Sequence, residues 1–358
     1  MTHIHRRDFI KLSGAALISV SLGLQRRRID ATTHWETQAP PAPLGRVASA
    51  WRLAMRTAPT QEASLVAWKT RDDIMPLEAM VKGEAPWPSN PYWFKTPEGY
   101  IHTGYVQPVR DAPSEKIITR VEGRGFWAEV CVPYIISRWS PSPEGRASTR
   151  LYYSTVYRVI DARRGDDGEW WYRLQDGVTW SPGPYVPARN LSPFSAQDLA
   201  PIKQVPPHPL WKSLPPEDRA ALPARDPGKW IELNLQTQML RCFEGPLEVF
   251  AALTATGSSR TPTPRGSYRI LYKRHAQRMI GPGYDLPGVP FPIYITTTGI
   301  ALHGTYWHHD YGRPQSHGCI NVLSDEARWI FRWVDPVVRD EENLQVARPG
   351  EGTPMYVI

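Results

Sequence analysis

Ser316-His317-Gly318-Cys319-Ile320-Asn321 is the stretch from which the rest of this 358-residue chain can be read. A thiol follows a glycine and a histidine there, and a second histidine, His303, closes an apolar run 16 residues before Cys319. That separation suits a loop that folds back and brings the two side chains together. A thiol is a strong nucleophile only as its thiolate, and a neighbouring imidazole can draw off the proton. Gly318 allows a tight turn, so the backbone N–H groups of His317, Gly318 and Cys319 are candidates to converge on a developing oxyanion. These are the ingredients of acyl transfer through a thioester.

Around this stretch the pattern is β-rich. Residues 229–244 alternate with Ile231, Leu233 and Leu235 on one face, break at Gln236-Thr237 and resume, which predicts a hairpin. Residues 247–255 predict a third strand, and Thr261-Pro262-Thr263-Pro264-Arg265-Gly266 a rigid turn feeding another. The apolar run 292–302 predicts the strand that delivers His303 to its end. Ser324 is placed to cap a short helix with Ala327, Ile330, Phe331 and Val334 on one side, and residues 355–358 read as a closing strand.

His303-Gly304-Thr305 followed by Ser316-His317-Gly318-Cys319-Ile320-Asn321 resembles the signature of the L,D-transpeptidase (YkuD-like) catalytic domain of bacterial cell-wall enzymes. The Thr-Pro element is also similar to one that the family has at this place. The resemblance covers residues 227–358 and implies a β-sandwich-like catalytic domain with one short helix and no metal or organic cofactor. It implies Cys319 as nucleophile, His303 as general base and the Gly304 carbonyl as the group that sets the His303 tautomer. Ser316 and Asn321 are expected to brace the turn beside the substrate. Many family members carry Arg where Asn321 stands, and one branch carries Asn. Residues 304–315 resemble the loop that walls the family's substrate cleft, with Tyr294, Tyr306 and Trp307 as candidate substrate contacts. The implied partners are peptidoglycan stem peptides, and thiolate chemistry adds the expectation of a covalent carbapenem adduct on Cys319.

Upstream, residues 49–110 and 118–196 each hold short strand-like runs between turn signals. The first ends in Tyr105-Val106-Gln107-Pro108 and the second in Tyr185-Val186-Pro187, a weak internal repeat. Both resemble bacterial Src-homology-3-like barrels. The fold expectation is therefore mainly β: two small barrels, then the catalytic domain. Trp87, Tyr92, Trp93, Trp170, Trp171 and Trp180 are either core filling or platforms for sugar and peptide; filling small cores is the more ordinary role. Residues 29–48 and the Pro-rich residues 197–226 read as linkers, the latter with one helical turn at Glu217 to Leu222.

The N-terminus reads as an export signal in residues 1–28. Arg6-Arg7-Asp8-Phe9-Ile10-Lys11 resembles a twin-arginine pattern and precedes an apolar stretch shorter than a membrane span. The expected location is extracytoplasmic, at the cell wall. No Ala-x-Ala cleavage site follows, which leaves an uncleaved membrane anchor open. The leader carries Arg6, Arg7, Lys11, Arg26, Arg27 and Arg28 against Asp8, which accounts for five of the seven net positive charges, so the remainder is close to neutral. That argues against nucleic acid as a partner.

Three cysteines leave at least one unpaired: Cys131 and Cys242 read as two buried strand thiols, with a disulfide between them as the alternative. His303, His308, His309, His317 and Cys319 are also zinc-ligand types in a short span, so a zinc hydrolase is a competing reading, though no acid stands where a metalloprotease base would. An L,D-carboxypeptidase using the same thioester and a non-catalytic wall-binding protein are further alternatives.

Overall fold

The computed structural model describes residues 37–84, 89–175, 177, 181–203, 228–339 and 342–358. The leader 1–28, the helical turn expected at Glu217 to Leu222, Trp87 and Trp180 lie outside the described residues. Among the described residues no helix is long and apolar enough to cross a membrane.

The C-terminal segment is built from two five-stranded sheets. The expected hairpin is present as Lys229–Asn234 and Met239–Glu244, in a register that pairs Ile231 with Cys242 and Leu233 with Leu240. Its turn follows from Asn234, whose side-chain oxygen accepts the N–H groups of Gln236 at 2.9 Å and Thr237 at 3.0 Å. Leu247–Leu253 flanks one side of this hairpin, and Pro354–Val357 runs parallel to Lys229–Asn234 on the other, with Gly266–Arg269 beyond it. The second sheet has the order Ile320–Val322, Ala301–Gly304, Ile293–Tyr294, Tyr272–Arg274, Leu344–Val346. One apolar cluster joins the sheets through Ile231, Leu233, Leu240, Ile293, Leu302, Ile320 and Val322. A two-stranded hairpin, Ala276–Gly281 with Tyr284–Pro290, stands apart from both sheets.

Two local expectations need correction. Residues 292–302 are not one strand. Ile293–Tyr294 and Ala301–Gly304 pair antiparallel, because Gly299 takes φ +98° and Thr296 Oγ1 accepts the Ile300 N–H at 3.0 Å. His303 is therefore inside a strand rather than at the end of one. The helix Ser324–Trp333 buries Ala327, Ile330 and Phe331, with Val334 buried at its C-cap, but Ser324 does not cap it. Glu326 closes the N-terminus by accepting the Leu323 N–H at 3.0 Å, and the Ser324 hydroxyl turns instead to Ser154 at 2.9 Å. At the other end buried Lys273 donates to the carbonyls of Phe331 at 2.6 Å and Val334 at 2.7 Å, a cation where the helix dipole is negative.

The upstream segment forms two all-β units. The first combines a six-stranded sheet with a three-stranded one, Ile74–Pro76, Leu44–Val47 and Val106–Val109. Thr37–Gln38 and Leu44–Val47, inside the segment expected to be linker, are thus strand. Pro40 and Pro41 suggest a spacer, but Leu44–Val47 sits between two other strands and three of its four residues are buried. The second unit is one seven-stranded sheet running from Phe126–Val130 to Leu191–Pro193. Trp93 and Trp171 are buried but stand outside the apolar cores of their units: Trp93 lies edge-on to His102, and Trp171 Nε1 donates to Asp167 at 3.1 Å. All three cysteines are free; Cys242 is buried, whereas Cys131 is only partly so.

The second unit is fused to the C-terminal core, since its Trp127 and Val156 belong to the same apolar cluster, and Trp127 stacks on His275 at 4.9 Å. Leu233 lies at the centre of that cluster with no exposure. Leu233→Ala is expected to lower stability by about 2–5 kcal/mol through the cavity it leaves, measured as a shift of the urea midpoint at unchanged slope.

Candidate active site

Ala301–Gly304 and Ile320–Val322 are parallel neighbours, with Leu302 opposite Ile320 and His303 opposite Asn321. Cys319 lies in the turn immediately before Ile320–Val322, so this pairing carries the thiol-bearing turn to the strand next to that of His303. His303 is 2% exposed, and its Nδ1 lies 3.0 Å from the Gly304 carbonyl oxygen. A carbonyl can only accept, so Nδ1 carries the proton and Nε2 presents a lone pair. Burial lowers the His303 pKa to about 4, and the Gly304 bond recovers only part of the shift. Cys319 is partly exposed, with Sγ 3.7 Å from the Gly299 carbonyl oxygen. Burial also pushes its thiol above the ordinary value, against a smaller opposing effect from the Ala301 backbone. At neutral pH the resting site therefore holds a neutral thiol and a neutral imidazole.

The turn before Cys319 is held from several directions. Gly318 has φ +115° with no side-chain or backbone atom close to where a Cβ would stand, so glycine is needed there for conformation rather than for space. Gly304 is the reverse case: a Cβ would lie 2.6 Å from Pro290 Cγ and 2.8 Å from Ser324 Cα. Ser316 Oγ donates to the Cys319 carbonyl at 2.5 Å and accepts the Gly318 N–H at 3.1 Å. The second bond removes Gly318 from the expected oxyanion donors and leaves the N–H groups of His317 and Cys319. The Thr-Pro element props the same turn, with Thr263 Oγ1 donating to the Gly318 carbonyl at 2.8 Å and Thr261 Oγ1 to the Ser316 carbonyl at 3.1 Å. Sequence reading had assigned these threonines only to a turn.

Asn321 is buried against His308, with 2.9 Å between its amide nitrogen and His308 Nε2. His308 Nδ1 faces the Asp310 N–H at 3.2 Å and the Gln315 amide nitrogen at 3.3 Å, two donors, so the ring proton sits on Nε2. Two donors do not bond. The Asn321 amide is therefore read with its oxygen toward His308, which also supplies a partner to an oxygen otherwise buried without one. Burial lowers the His308 pKa to about 3, consistent with this neutral ring.

The three candidate substrate contacts separate. Trp307 flanks the site, its ring 5.7 Å from that of His303. Tyr294 is buried, with its hydroxyl donating to Gln277 at 2.9 Å. Tyr306 is a correction: it is 2% exposed, its hydroxyl donates to the Pro287 carbonyl at 3.1 Å, and its ring stacks on Tyr152 at 5.4 Å, so it packs rather than lining an open cleft. Tyr284 was missed. It sits on the separate hairpin with its ring 5.2 Å from that of His317, and burial followed by the Cys319 charge raises its pKa. No spacing rule links it to Cys319. Among the described residues no three His, Cys, Asp or Glu side chains gather as a metal-ligand set; His308 faces Asn321, and His309 lies beside Phe94.

Cys319 sits in the turn that leads into Ile320–Val322, and buried His303 lies on the parallel neighbour of that strand. Residues 228–357 match the family model described as the L,D-transpeptidase catalytic domain (YkuD), and it is this segment that carries the family's catalytic domain. Probable L,D-transpeptidase 3 of Mycobacterium tuberculosis (strain ATCC 25618 / H37Rv) is 29% identical over 103 residues, 24% of this chain and 36% of that protein, so the match spans about a third of the relative's length. An L,D-transpeptidase from Mycobacterium smegmatis is 22% identical with a TM-score of 0.30, over 36% of this chain and 58% of that one. L,D-transpeptidase 3 from Mycobacterium tuberculosis, solved with a faropenem-derived adduct, is 20% identical with a TM-score of 0.29, over 36% of this chain and 60% of that one. The catalytic domain of the E. faecium L,D-transpeptidase is 23% identical with a TM-score of 0.30, over 37% of this chain and 99% of that domain.

Three buried histidines make the fold acid-sensitive, because burial lowers His275 and His308 to about 3 and His303 to about 4. Each folded pKa lies below the unfolded value near 6.5, so between those limits the unfolded chain binds more protons. Their contribution is full above pH 6.5 and is lost as pH falls toward 3. The urea midpoint is expected to drop between pH 7 and pH 5, and His275→Phe, which cannot titrate, should flatten part of that slope.

Proposed function

We propose that the C-terminal domain is a cysteine acyltransferase acting on peptidoglycan, an L,D-transpeptidase that joins stem peptides. One observation carries this reading: the strand that follows Cys319 pairs parallel with the strand of His303, a buried histidine whose Nδ1 lies 3.0 Å from the Gly304 carbonyl oxygen. In the proposed cycle Cys319 Sγ attacks the amide carbonyl between the third residue of a donor tetrapeptide and its terminal D-alanine. The thiol proton moves to His303 Nε2 as the S–C bond forms. The N–H groups of His317 and Cys319 face the developing oxyanion. Collapse breaks the C–N bond, and the departing D-alanine amine takes the proton from His303. An acceptor amine then attacks the thioester, His303 receives its proton, and Sγ leaves and regains that proton. Trp307 and Tyr284 flank the reacting groups and exclude water, which would otherwise hydrolyse the thioester.

Wild-type protein incubated with disaccharide tetrapeptide is expected to give crosslinked dimers and free D-alanine, with Cys319→Ala giving neither. Crosslinks formed by the alanine variant would sink the assignment; D-alanine release without dimers would instead identify a carboxypeptidase. Because both groups rest neutral, the rate should hold as pH falls through 6 and decline only toward the His303 pKa near 4. A carbapenem is expected to add to Cys319 as an intact-mass increase absent from the variant.

Export through the N-terminal Arg6-Arg7 leader is part of the same proposal, since stem peptides lie outside the cytoplasmic membrane. Replacing both arginines by lysine is expected to retain the protein in the cytoplasmic fraction, read by immunoblot of fractionated cells.

A further inference from the structure

Residues 304–315, between His303 and Ser316, contain no strand or helix beyond Gly304, yet they carry Trp307 and His308 beside the reacting pair. A segment of that kind is ordinarily mobile. Here the Gly312 and Gln315 N–H groups are held within the domain by the Thr254 and Thr256 carbonyls, each at 2.8 Å, while residues 306–310 take further anchors from the first upstream unit, far away in sequence.

Arg46, 1% exposed on the strand Leu44–Val47, donates Nη2 to the Tyr306 carbonyl at 2.7 Å and to Gln107 Oε1 at 2.7 Å. Its Nη1 pairs with Asp72 at 2.8 Å, and the other Asp72 oxygen pairs with Arg150 of the second unit. The guanidinium also lies 4.2 Å from the centre of the Tyr152 ring, on which Tyr306 stacks. Asn90 Nδ2 donates to Asp310 Oδ1 at 2.9 Å, and the Gly104 carbonyl accepts the His309 N–H at 2.8 Å. Asp310 in turn sends its backbone N–H to His308, whose Nε2 meets Asn321, the strand partner of His303. The path from Asn90 to the catalytic strand thus consists of consecutive hydrogen bonds through buried groups.

Burying an arginine and two acids is costly, and such clusters add little net stability compared with apolar packing of the same volume. What they supply is a single geometry. We propose that the first upstream unit is a working part of the active centre, with Arg46 and Asn90 as positioning residues that hold residues 304–315, and through them His308 and Asn321, in the reactive arrangement. This inference rests on reading Cys319 and His303 as the acyl-transfer pair. It gives the unit a role within the chain that does not depend on binding the cell wall.

The test uses the full chain and two independent variants, Asn90→Ala and the charge-balanced double variant Arg46→Met/Asp72→Asn. Lys69→Met, which removes an ion pair with Glu98 elsewhere on the same unit, is the control. Amide hydrogen exchange across residues 305–315 is expected to quicken at least tenfold in both variants, while strands within residues 229–253 keep wild-type rates. With faropenem as probe, the maximal rate of Cys319 acylation is expected to fall at least tenfold, and the half-saturating concentration to change less than twofold. A purely structural role would lower the melting temperature and leave loop exchange and acylation unchanged; that result overturns the proposal, as does a Lys69→Met effect of equal size. If one variant does not fold, the other decides. A wild-type protein inert to faropenem would count against the acyl-transfer reading, whereas the exchange data would still decide whether the unit holds the loop.

Discussion

The parallel pairing of Ala301–Gly304 with Ile320–Val322 is the constraint on which the rest of this molecule depends. Parallel neighbours cannot be joined by a tight turn, so the chain must leave one strand and return to the start of the next. Residues 305–319 make that return. The same crossover supplies the loop that flanks the site and the turn that presents the thiol. Ladder hydrogen bonds fix His303 against Asn321, and a slip of one residue would send the side chain of Asn321 to the opposite face. The geometry of the chemistry is thus a by-product of register.

Desolvation acts on both members of the proposed pair. Both groups are pushed toward their neutral forms, the imidazole down and the thiol up. A preformed thiolate–imidazolium pair is disfavoured there, and charge is best developed as the substrate arrives with a carbonyl to receive it. The tautomer matters more than the pKa in this arrangement. Gly304 holds the proton on Nδ1, which leaves the useful lone pair on Nε2.

The upstream units are not beads on a string. Trp127 and Val156 of the second unit sit in the catalytic core, and Arg46, Asp72 and Arg150 meet where all three parts of the chain converge. Charged groups concentrate at this seam and apolar groups in the cores. Apolar contacts tolerate small slips in register, whereas a buried guanidinium with fixed donors does not.

Much of this protein could be read from order and spacing. The hairpin at Lys229–Glu244 is legible because alternation with a break at an Asn-initiated turn leaves one low-energy arrangement. Cys319, Gly318 and Ser316 are legible because the turn that joins them is local. Gly304 is legible only by resemblance, since the clash that excludes a side chain involves Pro290 and Ser324. Tyr306 illustrates the limit: its position beside Trp307 suggests a cleft residue, and only packing on Tyr152 and the bond to Pro287 show it to be interior. Arg46 lay in a segment that composition marks as linker, and nothing linear connects it to Tyr306. Sequence alone therefore determined the local turns and the alternating strands and nominated the reactive groups, all of which follow from neighbours along the chain. Tertiary structure alone decided which strands became neighbours, which polar groups were dehydrated and which distant side chains meet residues 304–315, because burial and long-range hydrogen bonds are properties of assembled surfaces.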